Sequence, residues 1–364
     1  TRGVPARYGG FETFAEELSA RLAARGHAVT VYTRSHMAEP GVREHRGAAI
    51  RVLPAVRLKA LETLSHSLLS CIDSGRRKYD VVLMCNAANA PLLPLLHARG
   101  LRVALNVDGL ERKRRKWGAV GRRYYLLCER IASRWADSLV TDAEVIRRYY
   151  RRMWRRASVM IPYGGDLQPP KELGALERLQ LRPHEYILFV SRFEPENNPD
   201  QVVQAYRAVR SSLPLVLLGD APYAPGLAQH VRRLASEDPR VLLPGALYGE
   251  PYRQLLFHAK AYVHATEVGG THPALVEAMG ASRIVFYLDN LPNREVVDSA
   301  GVPFRFAGRE SLTGRLQRLV DHEEDFAAFG PQARARVMER YRWDDVAAAY
   351  ERILEELCSG NRQG

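Results

Sequence analysis

The alternation of short apolar segments with amphipathic helical segments constrains the fold more than any other feature of this sequence. The apolar segments read as strands, and most are separated by stretches with helical periodicity. In the first half they are residues 28–32, 50–53, 79–84, 103–107 and 138–141, and in the second half 186–190, 215–218, 241–243 and 284–287. Because crossover helices join parallel strands, this pattern predicts the α/β class with doubly wound sheets.

The chain is long enough for two domains, since its 364 residues exceed the usual size of one. Residues 166–184 are rich in proline and polar groups, and we interpret them as the interdomain linker. We therefore predict two Rossmann-like domains facing a cleft, residues 1–167 and 168–343. We expect a C-terminal helix at 344–364 to pack back on the first domain.

Residues 261–281 form the most informative stretch, because they predict a strand, a glycine loop and a helix. Gly269 and Gly270 allow the backbone to turn sharply and approach a ligand closely. Thr271 is a candidate N-cap, and Pro273 suits the first turn of a helix. The N-terminus of that helix favours a phosphate, while Glu277, one turn further on, can accept hydrogen bonds from sugar hydroxyls. An ordinary strand-to-helix turn is the alternative.

The N-terminal residues also carry a glycine loop followed by a helix. Gly9 and Gly10 precede a helical segment at 11–25, which leads into the apolar segment 28–32. A loop, helix and strand in this order normally follow a first parallel strand. We therefore expect a further strand ahead of Thr1.

Composition limits the class of protein and its partners. Hydrophobic residues make up 46% and charged residues 26%, as in soluble globular proteins. The four cysteines are scattered without metal-binding spacing, which favours a reducing, cytoplasmic location. The net charge of +12 predicts an anionic partner: a phosphate-bearing substrate, an acidic membrane surface or nucleic acid.

Five segments, in order along nearly the whole chain, resemble a GT-B glycosyltransferase of the retaining family 4 type. Within it, the chain is similar to a bacterial group of rhamnosyltransferase-like proteins. The segments are residues 1–13, 106–117, 161–166, 191–198 and 268–279. The resemblance implies a nucleotide-diphosphate sugar (dTDP, UDP or GDP) bound to the C-terminal domain, with a saccharide or lipid-linked acceptor on the N-terminal domain. It also implies retention of anomeric configuration without a metal or other cofactor.

A metal-independent enzyme must stabilise the leaving diphosphate with cationic side chains and helix N-termini. By resemblance, Arg192 is the phosphate-binding arginine, and Asn197 stands where the family usually has a lysine. Gly9 and Gly10 would lie under the diphosphate, although a plain N-terminal turn is the alternative. The implied donor site also includes the following residues: Gly219, Gly269, Gly270, Thr271, His272, Pro273 and Glu277.

Two acidic positions are candidates for catalysis beside Arg192. Asp108 stands where many family members carry histidine near the reacting carbon, so it would orient the acceptor hydroxyl or stabilise positive charge on the donor sugar. Asp108–Gly109 as a simple turn is the alternative. Glu267 contacts donor hydroxyls or is a solvated loop residue. Glu267 and Glu277 have nine residues between them, whereas the family pattern has seven.

Basic residues concentrate in two places, residues 112–117 and the arginine-rich helix at 147–156. They predict a surface for an acceptor or for anionic lipid headgroups at the inner face of the plasma membrane. A nucleic-acid surface and a merely solvated basic face are alternatives, although no nucleic-acid fold signature is present. The candidate residues of this surface are Glu111, Lys113, Arg114, Lys116, Trp117, Arg151 and Trp154.

The main hypothesis is a retaining, metal-independent glycosyltransferase that moves a sugar, with rhamnose as one candidate, to a polysaccharide or glycolipid. A nucleotide-sugar epimerase of the same fold is the first rival. A non-catalytic relative that binds membranes or nucleic acid is the second, and it is favoured by the expected absence of the first strand and by Asn197 in place of lysine.

Overall fold

The computed structural model describes residues 2–6, 9–58, 61–220 and 225–360. The chain forms two compact units, one containing the residues up to Tyr163 and those from Trp343 onward, the other Gly164–Arg342. The first boundary therefore falls after Tyr163 rather than after residue 167. The predicted linker at 166–184 is wrong, because Ala175 and Leu176 within it are buried in the core of the second unit.

The helices and strands of the first unit alternate along most of its length. They are α1 (Gly10–Ala24), β1 (Thr30–Arg34), β2 (Glu44–His45), β3 (Ala48–Leu53), α2 (Glu62–Ser74), β4 (Val81–Cys85), α3 (Leu93–His97), β5 (Arg102–Asn106), α4 (Ala119–Trp135), β6 (Ser138–Thr141), α5 (Glu144–Trp154) and β7 (Val159–Met160). The last helix of the chain, which we number α14, spans Trp343–Gly360 and also belongs to this unit.

The strands of the first unit form two sheets in the described residues. β1 and β3 are parallel and the short β2 is antiparallel to β3, while β4, β5, β6 and β7 form a four-stranded parallel sheet in that order. The alternation predicted parallel strands but not the antiparallel β2, which is only two residues long. A strand ahead of Thr1 stays a prediction.

Helix α14 packs against α1 and the four-stranded sheet, in the segment that the sequence analysis expected to return to the first domain. The rings of Phe14 and Tyr350 lie 5.1 Å apart, and the side-chain amide of Asn106 donates a 2.7 Å hydrogen bond to the Tyr350 hydroxyl. Trp343 is buried in the same cluster. Apolar contact therefore fixes α14 beside the end of β5. Residues 361–364 lie outside the described ranges.

The second unit contains a six-stranded, wholly parallel sheet in the order β10–β9–β8–β11–β12–β13. Its elements are α6 (Gly174–Arg178), β8 (Ile187–Val190), α7 (Pro199–Arg207), β9 (Leu215–Leu218), α8 (Pro225–Ser236), β10 (Val241–Gly245), α9 (Gly249–Phe257), β11 (Ala261–His264), α10 (Pro273–Gly280), β12 (Ile284–Leu288), α11 (Leu291–Val297), β13 (Val302–Phe304), α12 (Leu312–Asp321) and α13 (Phe329–Arg340). The sequence analysis missed α11 and β13.

Helices cover both faces of this sheet, as the continuous apolar strands require. Ile187 and Phe189 of β8 contribute to one core cluster, while Leu188 between them contributes to another. Successive side chains of a strand point to opposite faces, so both faces of the sheet are covered by apolar packing. Because all six strands are parallel, their carboxyl ends share one edge of the sheet. None of the described helices combines the length and the apolar composition needed to cross a membrane.

Candidate nucleotide-sugar site

The candidate donor residues of the second unit follow three neighbouring strands at one edge of the sheet. Arg192 follows β8, Gly219 follows β9, and the glycine loop at 265–272 follows β11. Because all three strands are parallel, their carboxyl ends meet at this edge, where open α/β sheets bind ligands. The fold thus brings together residues that are widely separated in the sequence.

Close backbone approaches explain two glycines at this edge. A Cβ on Gly219 would lie 1.9 Å from the carbonyl oxygen of Ser191, and a Cβ on Gly269 would lie 2.3 Å from Cε1 of His272. A side chain on Gly219 would therefore push the backbone of Ser191 away, and one on Gly269 would displace the ring of His272. Gly219 therefore packs β9 against the loop of Arg192, and Gly269 makes room for the ring of His272.

Helix α10 begins at Pro273, as predicted, but its N-cap residue is His272 rather than Thr271. The carbonyl of His272 accepts hydrogen bonds from the amides of Leu275 and Val276, and its extended backbone leads directly into the proline. Thr271 is buried and lies one residue before the N-cap position, so it does not cap the helix. The positive end of the α10 dipole still lies directly beside the glycine loop.

Two histidine rings pack behind this loop. The rings of His264 and His272 lie 4.9 Å apart, and His264 also stacks on Tyr262 with the planes 22° apart. Burial, together with the neighbouring His272, lowers the pKa of His264 well below its usual value. His264 is therefore a neutral ring that packs against the ring of His272. The sequence analysis did not identify this contact.

Glu277 is buried on the first turns of α10 and is held by a tyrosine of α9. The hydroxyl of Tyr252 donates a 2.6 Å hydrogen bond to Oε2 of Glu277. Burial, together with the carboxylate of Glu277, raises the pKa of Tyr252 well above its usual value, so the phenol keeps its proton. Tyr252 thus fixes the carboxylate at a position where it can accept further hydrogen bonds from a ligand.

Glu267 is held in the glycine loop by Asn198, which the sequence analysis passed over as a binding residue. The Asn198 amide donates hydrogen bonds to the Ala265 carbonyl, at 2.9 Å, and to Oε1 of Glu267, at 3.2 Å. On the opposite flank, Asn293 donates a 3.0 Å hydrogen bond to the Thr266 carbonyl. Two fully buried asparagines therefore anchor this loop to the start of α7 and the first turn of α11.

Arg192 is half-exposed, and its Nη1 lies 3.5 Å from Oε1 of Glu194. The amide of Asn197 donates a 2.7 Å hydrogen bond to the Arg192 carbonyl. Asn197 therefore positions the backbone of the Arg192 loop, and its assignment to the donor site stays a prediction. The resemblance implies a charged lysine at this position, whereas the side chain of Asn197 is neutral and stabilises the loop through this hydrogen bond.

In the first unit, Asp108 follows β5 and has the left-handed backbone conformation, with φ of 59°. The Asn106 side chain accepts a 2.9 Å hydrogen bond from the Asp108 amide, and the Tyr163 hydroxyl lies 3.5 Å from Oδ1 of Asp108. Burial and the neighbouring Asp108 raise the pKa of Tyr163 well above its usual value. Aspartate adopts this conformation more readily than most non-glycine residues, and eight other described non-glycine residues share it, so the position of Asp108 at the strand end carries the argument.

Gly9 and Gly10 lie at the N-terminus of the long helix α1. Gly9 is the N-cap residue, and its carbonyl accepts hydrogen bonds from the amides of Glu12 and Thr13. Glu12 is buried in the first turn and accepts a 3.0 Å hydrogen bond from the Arg2 amide. Thr1, Arg7 and Tyr8 of the same motif lie outside the described residues.

Part of the predicted basic surface at residues 112–117 is drawn towards the buried carboxylate of Glu111. Glu111 is buried and bonds to Arg114, while Lys116 and Nε1 of Trp117 lie 3.7 and 3.4 Å from its Oε2. Trp154 of α5 packs against the core of the first unit. Of the seven candidates, Lys113 and Arg151 are the two that are exposed. The sequence analysis overlooked the ability of Glu111 to neutralise its neighbours.

One group of side chains in the described residues has metal-binding geometry, namely His27, Glu351 and Glu355 of the first unit. A hydrogen bond with His27 and an ion pair with Arg25 account for it, because Nε2 of His27 and Nη1 of Arg25 lie 2.7 and 2.6 Å from the two oxygens of Glu351. This group of side chains is not part of the candidate nucleotide-sugar site.

Comparisons with known proteins agree with this arrangement. Residues 9–164 match the model of a glycosyl transferase 4-like domain, and residues 184–322 match that of glycosyl transferases group 1. No curated protein matches the sequence.

The chain is also similar in structure to sucrose-phosphate synthase from Thermosynechococcus elongatus, with 19% identity, a TM-score of 0.81, and coverage of 98% of this chain and 96% of the other. For HepE from Anabaena the identity is 14%, the TM-score 0.78 and the coverage 96% of each chain. For WaaG, a glycosyltransferase involved in lipopolysaccharide biosynthesis, the identity is 16%, the TM-score 0.72 and the coverage 94% and 96%. These likenesses support the GT-B fold. The chain therefore belongs to the GT-B glycosyltransferases, with a glycosyl transferase 4-like first unit and a group 1 second unit.

Proposed function

We propose that the protein is a retaining, metal-independent glycosyltransferase that moves a sugar from a nucleotide-diphosphate donor to a polysaccharide or glycolipid acceptor. Rhamnose is the sugar we would test first, because the resembled group is rhamnosyltransferase-like. The second unit would hold the donor and the first unit the acceptor. The observation that carries the proposal is the convergence of Arg192, Glu267, Glu277 and the glycine loop at one edge of a parallel sheet.

The chemistry of these groups suits a nucleotide diphosphate. Arg192 and the positive end of α10 can stabilise the negative charge that develops on the leaving diphosphate. Glu277, already oriented by Tyr252, can accept hydrogen bonds from ribose hydroxyls. HepE structures contain UDP and UDP-glucose, which makes a nucleotide sugar the natural first class of ligand here.

The role of Asp108 in this proposal is to stabilise positive charge on the sugar or to orient the acceptor hydroxyl. Its left-handed backbone and its contact with the Tyr163 hydroxyl favour one orientation of the carboxylate. Asp108→Asn keeps the size and the tolerance for a left-handed backbone, so we expect unchanged donor binding with kcat lowered by about a hundredfold.

A thermal-shift screen with UDP, GDP, dTDP and ADP in the presence of EDTA tests the donor site, because a ligand that binds only the folded state raises the Tm. We expect a shift with one nucleotide that is lost in Arg192→Ala and Glu277→Gln. No shift with any nucleotide would favour the non-catalytic relative. A shift only with added metal would contradict the metal-independent mechanism.

The reaction class is then decided with the matching nucleotide sugar. Transfer to a saccharide or glycolipid, with the anomeric proton of the product assigned by NMR, would establish retention. Isomerisation of the donor without any transfer would instead establish the epimerase.

A further inference from the structure

Helix α4 of the first unit presents an exposed face that the glycosyl-transfer site does not use. The face follows helical spacing and consists of Val120, Arg123, Leu127, Arg130 and Arg134. Val120 is 83% exposed and Leu127 52% exposed, whereas Tyr125, Cys128 and Ala132 on the opposite side are buried. The exposed Val120 and Leu127 side chains therefore add little to the core.

No acidic side chain reduces the positive charge of this face in the described residues. Glu129, the one acidic residue of α4, is buried at 2% exposure and accepts a 2.5 Å hydrogen bond from the Tyr149 hydroxyl of α5. Arg112 completes this buried contact, at 3.2 Å from Oε1 of Glu129. The carboxylate of Glu129 therefore joins α4 to α5 and does not neutralise the positive charge of the exposed arginines of α4.

The neighbouring helix α5, which Tyr149 joins to α4, carries further exposed basic residues near its C-terminus. Arg151, Arg152 and Arg155 are exposed, and Met153 between them is 53% exposed. Glu144, at the start of α5, forms ion pairs with Arg147 and Arg148, so it does not neutralise the end that carries Met153. We call this combined area of α4 and α5 the basic–aliphatic face.

We propose that the basic–aliphatic face docks the enzyme on an anionic lipid bilayer. Arginines attract acidic headgroups, at about 1 kcal/mol for each basic residue near the surface, while aliphatic side chains enter the boundary between headgroups and acyl chains. Nucleic acid is a poorer fit, because bases stack on aromatic rings, and Val120, Leu127 and Met153 have none. The exposed Trp135 is stacked on His97, with ring centroids 6.5 Å apart.

The inference deepens the proposed function, since an enzyme that uses a glycolipid acceptor benefits from residence on the membrane. Its test needs no sugar donor and no acceptor. A failure of lipid binding therefore leaves the nucleotide screen unaffected, and a failure of the nucleotide screen leaves lipid binding unaffected.

The experiment is co-sedimentation of the full chain with vesicles of phosphatidylcholine alone and of phosphatidylcholine mixed with phosphatidylglycerol. We expect binding to the mixed vesicles, weakening with salt, and little binding to the neutral ones. Arg123→Gln/Arg130→Gln/Arg134→Gln should weaken partition by about a hundredfold, and Val120→Ser/Leu127→Ser several-fold, both with unchanged Tm.

Arg182→Gln/Arg210→Gln/Arg232→Gln is the matched control, because it removes the same number of charges from arginines that are exposed on the second unit. Equal binding to neutral and mixed vesicles, or an equal loss in the control, would overturn the proposal. So would light scattering that shows a dimer dissolved by Leu127→Ser, since the face would then be a self-interface. Binding of the parent chain to single-stranded RNA, but not to lipid, would assign the face to nucleic acid.

Discussion

The side-chain amide of Asn198 lies 3.2 Å from a carboxylate oxygen of Glu267 and 2.9 Å from the carbonyl oxygen of Ala265. Asn198 is fully buried and has the left-handed conformation, with φ of 53°, at the N-cap of α7. One side chain thus connects the loop after β8, which carries Arg192, with the glycine loop after β11.

Asn198→Gly tests this connection, because glycine adopts the same backbone conformation without the amide. Loss of a hydrogen bond to a carboxylate should raise the KM for the donor about tenfold, and the buried Ala265 carbonyl left without its partner should lower the stability by about 1–3 kcal/mol. Asn198→Asp places a second carboxylate beside Glu267, so one of the pair should hold a proton and the pH–rate profile should shift. Gln201→Ala removes the other partner of Asn198 and serves as the control. Identical pH profiles for Asn198→Asp and the parent would refute the coupling.

Tyr252→Phe should weaken donor binding through Glu277. The substitution removes the donor of a 2.6 Å hydrogen bond and leaves a buried carboxylate less satisfied, which costs about 1–3 kcal/mol of folding free energy. Isothermal titration with the nucleotide and urea unfolding measure the two effects. Tyr287→Phe is the control, because that buried hydroxyl donates to the backbone carbonyl of Asp298 instead, at 3.3 Å. Equal effects of both substitutions would show that Tyr252 contributes nothing specific to Glu277.

Gly219→Ala should disturb both the fold and the donor site. The new Cβ would lie 1.9 Å from the Ser191 carbonyl oxygen, so β9 and the Arg192 loop must separate. We expect a loss of about 2 kcal/mol or more in stability, measured by urea unfolding, together with weaker nucleotide binding. Gly226→Ala in α8 meets no atom within 4 Å, and should be neutral or stabilise by up to about 1 kcal/mol. A neutral Gly219→Ala would contradict the close approach.

The lowered pKa of His66 predicts how the free energy of unfolding of the first unit depends on pH. It is buried in α2, and burial, assisted by the positive charge of Arg34, lowers its pKa from 6.5 to about 4. The contribution of neutral His66 to the free energy of unfolding is fully present above the unfolded pKa of 6.5. It is lost as the pH falls towards 4, because only the unfolded chain then takes up a proton. Between about pH 7 and pH 5 the loss should be roughly 2 kcal/mol.

Urea unfolding at both pH values measures this loss. His66→Gln should reduce the difference between them, whereas the exposed His322→Gln should not. The same pH dependence in His66→Gln as in the parent would show that other groups are responsible.

The local sequence determined the elements of this protein and the positions of its strand-end loops. Apolar segments with period-two or continuous patterns predicted most of the strands, and Pro273 predicted the start of α10, because strand patterning and the fixed φ of proline are local properties. The short β2 and β13, each of two or three residues, carry too little pattern to be recognised.

Tertiary structure alone decided which polar side chains face a ligand and which hold the loops. Glu111 and Trp154 seemed equivalent to surface residues in the sequence, yet packing turned them inward, whereas the arginines and Leu127 of α4 remained outside. Asn198 and Tyr252 have no local signal, because their partners are 69 and 25 residues away in the chain. Hydrogen bonds between such distant residues exist only after the strands have paired, which is why the sequence identified the edge of the sheet but not the contacts that organise it.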